Sequence, residues 1–219
     1  MNNSQIELVF SRLEKNNPQP TTELHYSNAF ELLVAVVLSA QATDIRVNIV
    51  TKKLFSLANT PEAMLELGEK AIRETIKSIG LYQNKAKNVI KLSQQIIDEH
   101  HHSIPQTLDQ LTTLAGVGRK TANVILNTLY GHLVIAVDTH VYRVSKRLGI
   151  ALKEDKTPLA VEKRIIKRIP KRWLRHAHHW LILHGRYICK AKQPSCTTCP
   201  LNDLCDDFLD RQVDSHSNH

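Results

Sequence analysis

The sequence predicts an all-α fold, and three observations predict it. Apolar residues recur at helical spacing along most of the chain, as in Ala86, Val89, Ile90, Ile96 and Ile97. Only the short run Leu133 to Val137 has strand character, and one isolated run cannot build a sheet. The turn-forming clusters Asn16-Asn17-Pro18-Gln19-Pro20, Ser103-Ile104-Pro105 and Gly149 to Pro158 fall between the periodic segments.

In chain order, helices are predicted near residues 4–15, 28–38, 43–57, 69–77 and 84–99. A short helix then leads into the turn Gly116-Val117-Gly118. After it, Ala122, Ile125, Leu126 and Leu129 mark the apolar face of a helix beginning near Arg119. Further helices follow near 139–148, 158–169 and 173–188, and the segment after Asp210 is expected to fray. Trp173 and Trp180 lie seven residues apart on one helical face, a spacing more typical of core than of a base-stacking platform.

With 219 residues, 42% of them hydrophobic, the chain can bury one good core or divide it between two lobes. The longest apolar stretch, Ala29 to Ala40, contains Glu31 and is too short to cross a bilayer, so it reads as a buried helix. No basic-then-apolar leader pattern opens the chain, and Glu7 and Glu14 argue against a transit peptide. A soluble protein of a reducing, cytoplasmic compartment, working as a monomer beside the nucleoid, is the expectation.

Charge is unevenly spread. Residues 1–141 are neutral, with 13 basic and 13 acidic side chains, whereas 142–192 carry 15 basic and 3 acidic ones. Residues 193–219 carry one arginine and five aspartates. The basic block fits a polyanion-binding surface, and on charge alone a solvated lysine-rich face fits as well.

In the turn, two glycines flanking one apolar residue let the backbone approach another surface closely. The first N–H groups of the following helix suit a phosphate oxygen. A bare glycine turn would read as a plain helical hairpin, but Arg119 and Lys120 follow it directly. A cation at a helix N-terminus opposes the helix dipole, and a setting that disfavours charge favours the neutral amine a Schiff-base nucleophile needs. A phosphate clamp is the rival role for Lys120. Asp138 precedes Thr139-His140-Val141-Tyr142 and, taken alone, reads as a helix N-cap.

All four cysteines fall in one short stretch, Cys189-x6-Cys196-x2-Cys199-x5-Cys205. Without a secretory leader, this spacing suggests metal ligation over disulfides. Four thiolates suit zinc and a [4Fe–4S] cluster alike. The runs His100-His101-His102 and His176, His178, His179 read as a helix end and as a mix of core and basic surface.

Leu114 to Ala122 resembles the helix–hairpin–helix motif of the endonuclease III family of DNA glycosylases with lyase activity. The resemblance extends through Leu38-Ser39-Ala40-Gln41-Ala42-Thr43-Asp44, Val137-Asp138-Thr139-His140, Leu181-Ile182-Leu183-His184-Gly185-Arg186 and the cysteine loop, covering about Asn16 to Asp206. Ala115 departs from it, standing where the family commonly carries proline. The resemblance implies two helical domains with the active site in the cleft between them. Residues 22–132 would form a barrel ending in the hairpin, 1–21 with 133–210 an iron–sulfur cluster domain, and 211–219 a frayed tail. It implies a base-excision enzyme that removes oxidised pyrimidines from double-stranded DNA and cleaves the abasic site, with catalytic Lys120 and Asp138 and no catalytic metal. It implies a [4Fe–4S] cluster on the four cysteines, whose loop aligns Arg186, Lys190 and Lys192 toward phosphates. DNA contacts are implied at Gly116, Gly118 and Arg119, with Gln41 and Leu81 filling the vacated base stack, and Asp44 and His140 as weaker pocket candidates. An adenine-specific mismatch glycosylase of the same superfamily is the nearest alternative. Lys120, Ala40-Gln41-Ala42 and a chain with no room for a further recognition domain speak against it. A catalytically silent DNA-binding module is the second alternative, opposed by Lys120 together with Asp138.

Overall fold

The computed structural model describes residues 1–216, with side chains as far as 213. The helices are α1 (Asn3–Asn16), α2 (Ala29–Leu38), α3 (Asp44–Leu57), α4 (Pro61–Ile76), α5 (Tyr82–His100), α6 (Leu108–Thr113), α7 (Arg119–Tyr130), α8 (Thr139–Leu148), α9 (Pro158–Arg168), α10 (Lys171–Tyr187) and α11 (Asp206–His216), with a 3₁₀ turn at Asn202–Leu204. No strand occurs among the described residues. The chain divides into two compact units, Thr22–Gly131 and the combination of Met1–Thr21 with the residues from His132 onward.

Helix ends follow local chemistry. Asn2, Asn28, Thr43, Thr60, Thr107, Asp138 and Thr157 each accept a backbone N–H of the helix they precede. Each such cap contributes about 1 kcal/mol. Helix α4 starts at Pro61, not near 69, because Thr60 caps it and proline suits the first helical position. Gly68 (φ 77°, ψ 157°) interrupts it, which hides the first half from a periodicity reading.

In unit Thr22–Gly131, α2 is buried on every side from Phe30 to Leu38 and packs against α3, α5 and α7, while α4 packs along α5. In the other unit, α1, α8, α9 and α10 share a core of Ile6, Val9, Phe10, Leu13, Val141, Val144, Leu148, Val161, Ile165, Leu174 and Leu181. Trp173 and Trp180 belong to it, their rings 5.9 Å apart and packed on Phe10. Their indole N–H groups reach Glu7 Oε2 (2.7 Å) and the Asn17 carbonyl (2.8 Å), so neither presents a face for base stacking.

The run Leu133 to Val137 forms no strand, in keeping with its isolation; its β-branched residues Ile135 and Val137 are buried in this core. One expectation needs correction. The segment 211–219, expected to fray, is helical as far as His216, and the rest lies outside the described residues.

Candidate nucleic-acid interface and cysteine site

One helix, α5, organises the glycine turn. Gln95 Nε2 donates to the Thr113 carbonyl (3.1 Å), and its Oε1 accepts the Ala115 N–H (2.9 Å). Gly116, at φ 78°, lies so close to Asn88 that a Cβ there would sit 2.9 Å from its Nδ2. Buried Val117 anchors the turn, its N–H donating to the Leu114 carbonyl at 3.0 Å. Gly118 then serves as the N-cap residue of α7 without any side-chain cap. A Cβ on Gly118 would meet nothing within 4 Å, so this glycine leaves the backbone open instead of making room for a neighbour. The first N–H groups of a helix have no intrahelical acceptor, and those of α7 begin beside the exposed Gly118, Arg119 and Lys120.

Helix α5 also carries Leu81 at its own start. Leu81 is 56% exposed and left-handed (φ 60°), and Gln41 is exposed and left-handed too (φ 54°). Left-handed backbone costs a non-glycine residue about 1 kcal/mol. Both strained residues sit at the tips of adjoining turns, since a Cβ on Gly80 would lie 3.8 Å from the Gln41 carbonyl oxygen. Gln41, Leu81 and the glycine turn therefore belong to one unit, assembled around one helix. Asp44, the first residue of α3, is partly buried.

Asp138 belongs to the other unit. It is partly buried at the N-cap of α8, where Oδ1 accepts the Val141 N–H at 2.8 Å. The capping reading thus holds, and it uses one carboxylate oxygen. Two residues on, His140 Nδ1 pairs with Arg143 Nη2 (3.2 Å). The same guanidinium donates to the carbonyls of Gly185 (2.8 Å) and Cys189 (3.0 Å). Gly185 lets α8 and α10 come this close, because a Cβ there would lie 2.9 Å from His140 Cβ.

Much of the basic block is spent inside this unit. Arg168 donates to the carbonyls of Gly149 (2.8 Å), Ile150 (2.7 Å) and Met1. Arg164 pairs with buried Asp155 (3.1 Å), holding the carboxyl, despite its desolvation, below the usual range together with the Leu152 N–H. Arg172 pairs with Glu7 and covers the Trp173 ring. Lys190 and Lys192 are exposed and Arg186 is partly buried. The arginines that staple carbonyls escaped the sequence reading because their partners lie far off along the chain, as Arg168 and Met1 do.

The four cysteines line one cavity, together with His184, Arg147, Asp207 and Arg211. Burial, with the neighbouring acidic and thiol groups, pushes Cys205 up to about 11, and burial raises Cys199 as well. Burial also holds His184 down at about 4, and its Nε2 lies 3.7 Å from Cys199 Sγ. Arg147 Nη1 donates to Cys189 Sγ (3.4 Å). Among the described residues no three His, Cys, Asp or Glu side chains converge closely enough to hold a single metal ion, the two histidine runs included. No helix among the described residues is long and apolar enough to cross a membrane.

Residues 34–171 match the family model of the HhH-GPD superfamily base excision DNA repair proteins. Endonuclease III of Rickettsia prowazekii (strain Madrid E) is 55% identical over 201 residues, 92% of this chain and 94% of that protein. Endonuclease III of Escherichia coli (strain K12) is 50% identical over 206 residues, 94% and 97% of the respective chains. A solved structure of a trapped endonuclease III–DNA covalent intermediate superposes with a TM-score of 0.90 at 46% identity, covering 97% of this chain and 99% of that one. A thermostable thymine-DNA glycosylase shares the fold, with a TM-score of 0.85 at 20% identity.

Proposed function

Since the chain belongs to the endonuclease III family, within the HhH-GPD superfamily of base excision DNA repair proteins, we propose that Lys120 and Asp138 carry its chemistry on duplex DNA bearing oxidised pyrimidines. It is a DNA glycosylase and abasic-site lyase. The observation that carries the assignment is Lys120 itself, exposed at the uncapped start of α7 behind a turn whose second glycine leaves the backbone open.

Phosphate oxygens of the damaged strand bind the N–H groups that begin α7, with Arg119 adding charge. The target nucleotide leaves the stack, and Gln41 and Leu81 fill the vacancy; their exposed, strained tips support this role. Lys120 Nζ attacks C1′ of the sugar as the bond to the base breaks, and the electron pair departs with the base. The Asp138 carboxylate stabilises the positive charge that develops on the sugar. The nitrogen then gives up one proton, and as the C1′–O4′ bond breaks O4′ takes one up, which opens the sugar ring and leaves an iminium that keeps one N–H. Removal of a C2′ proton then expels the 3′ phosphate by β-elimination, and water releases the enzyme. No metal takes part in these steps.

Cys189, Cys196, Cys199 and Cys205 fit a [4Fe–4S] cluster. They form an all-cysteine donor set around one cavity, with guanidinium and imidazole groups beside the sulfurs. Such a cluster, when bound, supplies cross-links that fold an otherwise apolar-poor loop. Lys190 and Lys192 then project from that loop toward DNA phosphates, as does Arg186 at the end of α10. A strand-nicking assay on duplex DNA with one abasic site tests the enzyme reading: cleavage on the 3′ side supports it, and binding without cleavage refutes it in favour of a silent DNA-binding module.

A further inference from the structure

Two arginines, Arg147 and Arg211, line the cysteine cavity. Arg147 is half-buried and anchored by the carbonyls of Lys190 (2.8 Å) and Ala191 (3.2 Å) while it donates to Cys189 Sγ. Arg211, one turn beyond Asp207 on α11, bonds the Asp207 carboxylate and carbonyl and extends Nη2 to Cys196 Sγ at 3.8 Å. Asp207 lies between the two guanidiniums, with Arg147 Nε 3.9 Å from the same Oδ2. A chain of alternating charge therefore runs along the cavity lining and touches two of the four cysteine sulfurs. The i,i+4 pairing with Asp207 orients the Arg211 guanidinium, and its Nη2 thereby holds positive charge at a cysteine sulfur.

We propose that Arg211 is a positioning residue for the cysteine-bound cluster, holding positive charge against Cys196 so that the more electron-rich state of the group is favoured and its oxidation is resisted. Four thiolates around a [4Fe–4S] core carry net negative charge, and oxidation by one electron lessens it. A cation at a ligand sulfur stabilises the more negative state, and hydrogen bonds to cluster sulfurs act in the same direction. At 51% exposure the Arg211 charge is partly screened, so its effect is modest and salt-dependent. This inference rests on the cluster reading given above.

The test uses iron-loaded wild-type, Arg211→Gln and Arg211→Lys proteins, compared by voltammetry on the couple between the resting cluster and its one-electron-oxidised form. Arg211→Gln is expected to favour the oxidised form by up to about tenfold, a potential about 59 mV lower. Arg211→Lys is expected to keep most of the wild-type value, and added salt to shrink the gap. Failure of Arg211→Gln alone to retain iron also supports the proposal, since the charge is then needed to hold the group. Equal potentials in wild type and Arg211→Gln overturn it, as does iron loss from both variants, which assigns the effect to packing. A wild-type protein without iron overturns the cluster reading and this inference with it; iron-loaded wild type beside unshifted variants overturns this inference alone.

Discussion

Gly118 and Gly149 are both glycines at helix boundaries in a positively charged sequence, yet they stand there for opposite reasons. At Gly118 the space a Cβ would fill is empty and the backbone is not left-handed (φ −93°). At Gly149 (φ 83°) a Cβ would lie 1.8 Å from Asp206 Oδ2, so the glycine admits a carboxylate that also receives the N-terminal ammonium at 3.0 Å. The cations divide in the same way. Arg119 and Lys120 stand at an exposed helix start, while Arg143, Arg147 and Arg168 turn inward onto carbonyls. Glycine next to positive charge marks a ligand-facing surface only where packing leaves the space unclaimed.

The contrast can be broken most severely at Gly149. Gly149→Ala combines left-handed strain with a collision against Asp206, and should cost about 3 kcal/mol or more, read as a large fall in thermal midpoint. An unchanged midpoint would mean that this glycine, too, is there for openness. Arg168→Ala removes donors from three carbonyls and is expected to cost about 2–3 kcal/mol while the salt dependence of DNA binding stays as it was. If the slope of affinity against salt falls by about one phosphate contact with stability intact, Arg168 belongs to the DNA surface instead.

Asp138 sharpens the comparison because it belongs to both classes at once. Asparagine also caps helices, so Asp138→Asn should hold the thermal midpoint and lose most turnover; Asp138→Ala should lose turnover and about 1 kcal/mol of stability. Near-wild-type turnover in the asparagine variant would reduce Asp138 to a cap. The smallest effect on the fold is expected at Gly118→Ala, within about 0.5 kcal/mol by calorimetry. Its affinity for abasic DNA should nevertheless fall, and unaltered affinity would remove Gly118 from the phosphate contacts.

Features legible in the sequence were those set by local spacing. Helices α5 and α7 showed in their apolar repeats, and the cysteine stretch showed in its clustering. The early half of α4 did not, because left-handed Gly68 divides its pattern, and α11 did not, because its residues are mostly polar. Leu133 to Val137 has the composition of a strand without forming one, since β-branched residues serve a buried connecting segment as well. Within the candidate site, Lys120 could be singled out from its neighbours in sequence. The splint of Gln95 and the approach of Arg211 to Cys196 could not, for those contacts exist only once the chain has folded.

The central claim is that Lys120 is the nucleophile. Borohydride reduction during reaction with abasic duplex DNA tests it most directly, because it fixes an iminium as a stable amine. The account predicts a covalent protein–DNA adduct with the wild-type chain and none with Lys120→Ala, at equal protein concentration and with the cysteine-bound group intact. A trapped adduct of wild-type yield in Lys120→Ala would contradict it.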